Sequence, residues 1–400
     1  MNSSLEAPAV RPIAPGERAG TTGDLTFLTW TATGTGALRD VTAEAYETLL
    51  ETLASRGAVV LQERIFGRAE AARCVLETRQ EIWRRRSAPP TASPTFVEGV
   101  PLGSADLAGI HVIAASGADG QGRLLVHDGQ VCGRVITTQT AEFLALSDAG
   151  RLVRGRALPR DSETREVLRA VEDVLADEGW TFGDVGRTWF YLREILDWYG
   201  PFNRVRNEEF RRMGLLGGAG ALQGRIPAST GIEGRNVLGG WCTLDLLAAR
   251  PANGGAFEMR RLANVRQSEA TEYGSSFARG VALTTGGFRY VFVSGTASID
   301  DHGGSVHEGD FEAQTRRTFE TVEALLDGAG AASRHVRQAT AFVKHPRDAR
   351  AYERVAERAG LPVPPVAMVA DVCRAELLFE LDATAVVPLG PEDSGAHGPA

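Results

Sequence analysis

The stretch Ala370–Val387 reads ADVCRAELLFELDATAVV. It predicts two short strands, Ala370–Cys373 and Leu377–Val387, joined by a tight polar turn at Arg374, Ala375 and Glu376. Alternate residues of the second strand point to opposite faces. Phe379, Leu381, Ala383, Ala385 and Val387 form an apolar face suited to packing on helices; Leu378, Glu380, Asp382 and Thr384 form the other. Glu380 is thus flanked by Leu378 and set against Cys373 of the incoming strand. Two readings are open for it: an edge-strand carboxylate in solvent or an ion pair, or a proton donor whose partial burial disfavours the ionised form and raises its pKa. A second cluster lies in Arg260–Gly280, too polar for a core strand and too rich in Gly and Ser for a helix. It brings Tyr273, Ser275, Ser276 and Arg279 together just before a buried strand. Because a guanidinium binds carboxylates as a bidentate fork, this loop reads either as a holder of an anionic substrate or as a solvated linker. A third run, Arg225-Ile-Pro-Ala-Ser229-Thr230-Gly231-Ile232, sets small polar groups where they would face that loop across a cleft.

The elements that must position these groups form a repeat. Three helices carry apolar residues at the same spacing, each followed by a glycine: Tyr46, Leu49 and Leu53 before Gly57; Leu168, Val171 and Leu175 before Gly179; Phe319, Val322 and Leu326 before Gly330. A strand follows each helix, at Ala58–Gln62, Arg187–Leu192 and Arg337–Val343, and then a second helix, at Arg68–Arg86, Phe202–Met213 and Arg347–Ala359. The fold class is therefore α/β: three α+β modules, residues 24–118, 119–255 and 256–389, between mobile tails at 1–23 and 390–400. Three small sheets, each backed by helices on one face, must bury their other faces. The economical arrangement is a pseudo-trimer within one chain, with mixed sheets inside, helices outside and clefts between neighbouring modules. On this reading Asp245 in the second module and an apolar residue near Ile110 in the first match Glu380.

The 400 residues are 43% hydrophobic with a formal net charge of -8, which suits a globular protein and argues against nucleic acid or an anionic membrane as partner. Lys344 is the only lysine, so Schiff-base and P-loop chemistry are excluded. Cys74, Cys132, Cys242 and Cys373 are far apart and form neither a zinc pattern nor a disulfide framework. No secretory signal and no apolar run of membrane-spanning length is present, and a cytoplasmic location is expected. No dinucleotide fingerprint occurs. The glycines at 214, 217, 218 and 220 follow a helix, where they would not cradle phosphate. His302 and His307 read as surface loop.

Five stretches together resemble the chorismatase family: Tyr273-Gly-Ser-Ser-Phe-Ala-Arg279, Val293-Ser-Gly-Thr-Ala-Ser298, Pro227-Ala-Ser-Thr-Gly231, Phe202-Asn-Arg-Val-Arg-Asn207 and Cys373-Arg-Ala-Glu-Leu-Leu-Phe-Glu380. The resemblance spans about Leu107 to Pro388. It implies a fold similar to the RidA (YjgF) superfamily, whose members are trimers of small α/β units, and an enzyme that releases pyruvate from chorismate. That substrate is a dianion carrying an enol ether; protonating its terminal methylene creates an oxocarbenium ion for a nucleophile to trap. By resemblance Glu380 is the catalytic acid, Arg279 binds a substrate carboxylate, Tyr273, Ser229 and Thr230 are hydrogen-bond partners, and Arg225 takes the second carboxylate. Arg204 and Arg206 are expected to be structural or at the cleft rim, and Pro201 to Asn203 to shape a helix start. Gly280 and Cys373 resemble the subtype that forms 3-hydroxybenzoate by trapping with the neighbouring ring hydroxyl; the water-using subtype carries Ala after the motif Arg and lacks the Cys. The expectations are chorismate as the small-molecule ligand, no cofactor, no metal and a monomer with internal pseudo-threefold symmetry. The alternatives are the hydrolytic subtype, a RidA-like imine hydrolase (disfavoured because Pro364–Val369 lacks that family's Arg) and a non-catalytic metabolite binder.

Overall fold

A computed structural model of the chain describes residues 23–32, 36–103, 105–118, 120–217, 222, 224–237 and 239–390. Both predicted tails lie outside the described residues except for their inner ends. The first third forms β1 (Leu25–Thr31), α1 (Leu38–Ser55), β2 (Val59–Gly67), α2 (Ala69–Arg85), β3 (Thr95–Glu98), β4 (Val100–Pro101) and β5 (Leu107–Ala115). The middle forms β6 (Arg123–His127), β7 (Gln130–Thr137), β8 (Ala141–Leu146), α3 (Arg160–Asp177), β9 (Val185–Leu192), α4 (Ile195–Arg212), β10 (Ala228–Glu233), β11 (Arg235–Asn236) and β12 (Cys242–Pro251). The last third forms β13 (Phe257–Leu262), β14 (Gly280–Thr285), β15 (Phe288–Ala297), α5 (Phe311–Gly328), β16 (Val336–Val343), α6 (Ala349–Ala359), β17 (Val366–Val369) and β18 (Phe379–Pro388).

The repeating apolar triplets are the buried stripes of α1, α3 and α5, though Phe319 is only partly covered. The glycine after each helix has positive φ: 58° at Gly57, 72° at Gly179 and 70° at Gly330. That left-handed conformation ends the helix and turns the chain into the next strand without the steric penalty a side chain would bring. Asp310 caps α5 by accepting from the Ala313 amide at 3.0 Å.

The strands build three mixed sheets in the orders β1-β5-β2-β3-β11, β10-β9-β12-β8-β7-β6 and β13-β14-β15-β18-β16-β17-β4. Each holds one parallel pair, β2 with β3, β9 with β10 and β16 with β17. One buried cluster fills the space between α1, α2 and the first sheet, and a second that between α5, α6 and the third. The opposite faces of these sheets, including Phe27, Leu61, Tyr290 and Phe292, join the second sheet in a single central core. In the first and last thirds the helices therefore lie on one face of the sheet and the central core on the other; α3 and α4 pack into that core against the second sheet.

Segments cross between sheets. β4 leaves the first third to pair with β17, and β11 leaves the middle to pair with β3. The Glu233 amide at the end of β10 donates to the Asp371 carbonyl at 3.1 Å. The central strands carry a bulge at a matching place: Val60 and Gln62 pair with Ala114 and Ile113, Val185 and Arg187 with Ala248 and Leu247, and Val336 and Gln338 with Ala385 and Thr384. From these positions Gln62 donates to the carbonyls of Leu146 (2.9 Å) and Leu246 (3.0 Å), Gln338 to those of Leu28 (2.8 Å) and Val112 (3.0 Å), and Arg187 to Asp382 (3.0 Å).

Two sequence expectations are corrected. Ala370–Cys373 is not a strand; pairing ends at Val369, and the chain loops through Arg374 to β18. Helix α4 begins at Ile195, not near Phe202, and runs through Pro201. A proline inside a helix removes one amide and so reads as a helix start. Here the true start is secured elsewhere, because the Glu233 carboxylate accepts from the amides of Glu194 (3.1 Å) and Ile195 (2.8 Å).

Candidate active site

A cavity of about 180 Å³ opens between the second and third sheets. Its walls come from five places: Tyr199, Asn203 and Arg206 on α4; Ser229 and Gly231 on β10; Ser275, Phe277 and Arg279 ahead of β14; Gly295 and Ala297 on β15, with Ile299 beyond; and Cys373, Arg374 and Glu380 around the start of β18.

Glu380 is the second residue of β18, on the face turned away from α5. Opposite it β15 is irregular: Val293 pairs with Ala383 and Thr296 with Leu381, so Ser294 and Gly295 bulge out together. The bulge is pinned, since the Ser294 hydroxyl donates to the Ala278 carbonyl (2.6 Å) and accepts from the Ser229 amide (2.8 Å). Gly295 lies directly under the carboxyl, and a Cβ there would stand 2.1 Å from Glu380 Oε1. Glu380 is 4% exposed. Burial, reinforced by the charge of Asp382 and partly offset by Arg187, pushes its pKa up to about 8. The group is therefore an acid at neutral pH.

Three guanidinium groups border the cavity. Arg279 is buried, donates through Nε to the Ser268 carbonyl at 2.8 Å and lies 5.4 Å from the centre of the Phe277 ring. Arg206 is buried against Phe202 (5.1 Å) and Phe277 (5.6 Å) and donates to Asn203 Oδ1 at 2.6 Å. Arg374 is half-buried and donates to the Gly303 carbonyl at 2.9 Å. Asn207 fastens α4 to the loop that carries Phe277 and Arg279: it donates to the Gly274 carbonyl (2.8 Å) and accepts from the Ser276 hydroxyl. Burial and the neighbouring Glu380 push the Cys373 thiol up to about 12, with Arg374 and a Tyr199 hydrogen bond acting against them. Cys373 thus stays a thiol at neutral pH and has no nucleophilic thiolate to offer.

The sequence candidates divide. Glu380, Cys373, Arg279 and Ser229 meet at the cavity. Thr230 does not: strand alternation turns it away from Ser229 and Gly231, and its hydroxyl donates to Asp382 Oδ2 at 2.8 Å. Arg225 precedes β10 and lines a separate groove with Asp184, Arg260 and Arg261. Tyr273 closes a short turn at Ala270–Tyr273, and its side chain lies outside the described part of the structure. Gly280, next after Arg279, faces the helix layer; a Cβ there would meet the Phe292 carbonyl and Leu325 Cδ2, each at 3.0 Å. It makes no room for a ligand. Gly280→Ala should lower stability by about 1–3 kcal/mol through overpacking against backbone, read as a drop in Tm.

The cavity also holds residues that the sequence reading set aside. Tyr199, Asn203 and Arg206 sit at i, i+4 and i+7 on α4, one position along from the core stripe Trp198, Phe202 and Val205. That double stripe was the available signal. The register also moves Asp245. Counting from the matched bulges, Asp245 and His111 correspond to Asp382, while Thr243 and Gly109 correspond to Glu380.

The Endoribonuclease L-PSP family model matches residues 276–387. A RutC family protein of Pyrococcus horikoshii is 32% identical over 106 residues, covering 26% of this chain and 82% of that protein. The chain belongs to the RutC family. A longer likeness is to a 3-hydroxybenzoate synthase of Streptomyces hygroscopicus, 29% identical over 247 residues, 55% of this chain and 68% of that one. The crystal structure of a chorismatase shares the fold over 92% of this chain and 100% of its own length, with a TM-score of 0.61 at 18% identity. The resemblance to chorismatases of RidA-like fold is thereby borne out. Among the described residues no helix is long and apolar enough to cross a membrane.

Proposed function

We propose that the chain converts chorismate to 3-hydroxybenzoate and pyruvate, with Glu380 as the general acid. One observation carries this reading: the carboxyl of Glu380 is buried, which pushes its pKa up to about 8, in a cavity bordered by three guanidinium groups. Arg206, Arg279 and Arg374 suit a dicarboxylate, and Phe277, Ala297 and Ile299 suit its ring. Glu380 donates its proton to the enolpyruvyl methylene carbon, whose π electrons form the new C–H bond, and an oxocarbenium ion results. The neighbouring ring hydroxyl adds to that ion to give a cyclic ketal, and that oxygen's own bond to the ring then breaks. The carbon bearing the ether loses its proton to make the ring aromatic, and the remaining hemiketal collapses to pyruvate and a hydroxyl on the former ether carbon. The atoms of chorismate equal those of 3-hydroxybenzoate plus pyruvate, so no water is consumed. The relatives' names, a 3-hydroxybenzoate synthase and a chorismatase, support the same reaction. Cys373 beside Glu380 supports the aromatic outcome; Gly280 supports it only as a residue of the subtype that the sequence resembles.

Incubation of the purified protein with chorismate and chromatography of the products is the test. The expected products are 3-hydroxybenzoate and pyruvate in equal amounts. A non-aromatic diene-diol would refute the aromatic outcome, and absence of pyruvate would refute the reaction. The pH dependence has a definite sign. The acid form is the active one, and its pKa lies near 8 instead of the ordinary 4.5. Activity should therefore hold through neutral pH and fall about tenfold per unit above the limb, as measured by kcat/KM across the alkaline range.

We also infer that the modules are residues 24–118, 119–255 and 256–389, arranged about a pseudo-threefold axis. Cyclic contacts support this. The bulged strand positions Gln62, Arg187 and Gln338 each reach the next module in turn, and β4, β11 and the segment at Asp371 each reach the previous one.

A further inference from the structure

Asp382 is two residues from Glu380 on the same face of β18, about 7 Å along the strand. It is 4% exposed, and its Oδ2 accepts from Arg187 Nη2 at 3.0 Å and Thr230 Oγ1 at 2.8 Å. Arg187 is 1% exposed, donates again to Thr230 and to the Thr188 carbonyl (2.9 Å), and lies 4.5 Å from the centre of the Trp189 ring. The other two bulged positions carry the neutral Gln62 and Gln338, which reach only backbone carbonyls. At the interface that holds the cavity, an arginine and a carboxylate replace that neutral contact.

Arg187 thus stands near both carboxyl groups, and its hydrogen bonds commit it to Asp382. Burying a second negative charge alongside would be costly. We propose that Asp382, held by Arg187 and Thr230, is a positioning residue that keeps Glu380 in its acid form. This rests on the reading of Glu380 as the proton donor. The other charged or titratable groups bordering the cavity with Glu380 are Arg279 ahead of β14, Arg206 and Tyr199 on α4, and Cys373 and Arg374 ahead of β18. Each stays in place in the test variants.

The test is the titration of Glu380 in Asp382→Asn, Arg187→Gln and the double variant. It is read two ways: from the alkaline limb of kcat/KM on chorismate, and from the carboxyl stretch in infrared difference spectra, assigned by its loss in Glu380→Gln. Asp382→Asn should move both readouts down by about one pH unit and Arg187→Gln up by a smaller amount, so that the double variant lies between Asp382→Asn and wild type. A merely structural pair would lower activity evenly across pH and leave both readouts where they are; that result overturns the proposal. If circular dichroism shows that neither single variant folds, the double variant decides: a lowered titration supports the proposal, and an unmoved one overturns it. A wild type inactive on chorismate would sink the reaction alone, since the infrared titration needs no substrate.

Discussion

Glu380→Gln should abolish turnover of chorismate, by a factor of about 10²–10⁴ or more in kcat, while leaving ligand affinity nearly unchanged. Glutamine has the shape and neutrality of the protonated acid but no proton to give. Calorimetric titration with an unreactive chorismate analogue would check the second half of the expectation. A variant that keeps turnover would remove Glu380 from the chemistry, and a wild type that binds chorismate without turnover would make the chain a binding protein. Stability should move the opposite way to activity. The folded pKa is raised to about 8 from 4.5, so the favourable contribution of this carboxyl is full below the ordinary value and is lost as pH rises through the folded one. Glutamine has no charge to bury, so the melting advantage of the variant over wild type should grow across that window and level off above it.

Gly295→Ala should lower kcat by about 100-fold with little change in KM or Tm. The new methyl would sit 2.1 Å from Glu380 Oε1 and 3.4 Å from Thr230 Cα. The second distance is ordinary contact. The first requires the carboxyl to move, and the end of a flexible side chain can do so at small cost in folding energy. It would no longer point where the reacting carbon must lie, which is a loss of orientation and not of binding. Kinetics and thermal melting on the same preparation separate the effects. A fall in Tm with kcat unchanged would place the carboxyl elsewhere in the working enzyme.

Much of the fold was legible because it rests on local signals: the helical triplets, the glycines after them and the alternation around Glu380. The partners that make Glu380 unusual were not. Arg187 follows Gly179 by the same interval that separates Gln338 from Gly330, but nothing in the chain around it tells of a carboxylate 195 residues away. Tyr199 was passed over because Pro201 reads as a helix boundary, and the turn before it depends on Glu233 from another strand; for the same reason Asn203 was given to a helix start, and Arg206 to a structural or rim role. Asp245 was matched to Glu380 because a two-residue offset on a strand keeps the same face; only the bulge register separates the two. Gly280 was grouped with the site by resemblance, yet its neighbour Arg279 faces the cavity, and adjacent strand residues face opposite ways.

The segments that cross between sheets bear on how the molecule comes apart. With β4 completing the third sheet's margin and β11 the first's, neither the first nor the last third of the chain can be excised with its sheet intact. Separating the last third would bare β17, and separating the first would bare both β17 and β11, each a short adhesive edge. Heating should accordingly melt all three layers in one concerted event, and survivors of limited proteolysis should stay associated until denaturant is added.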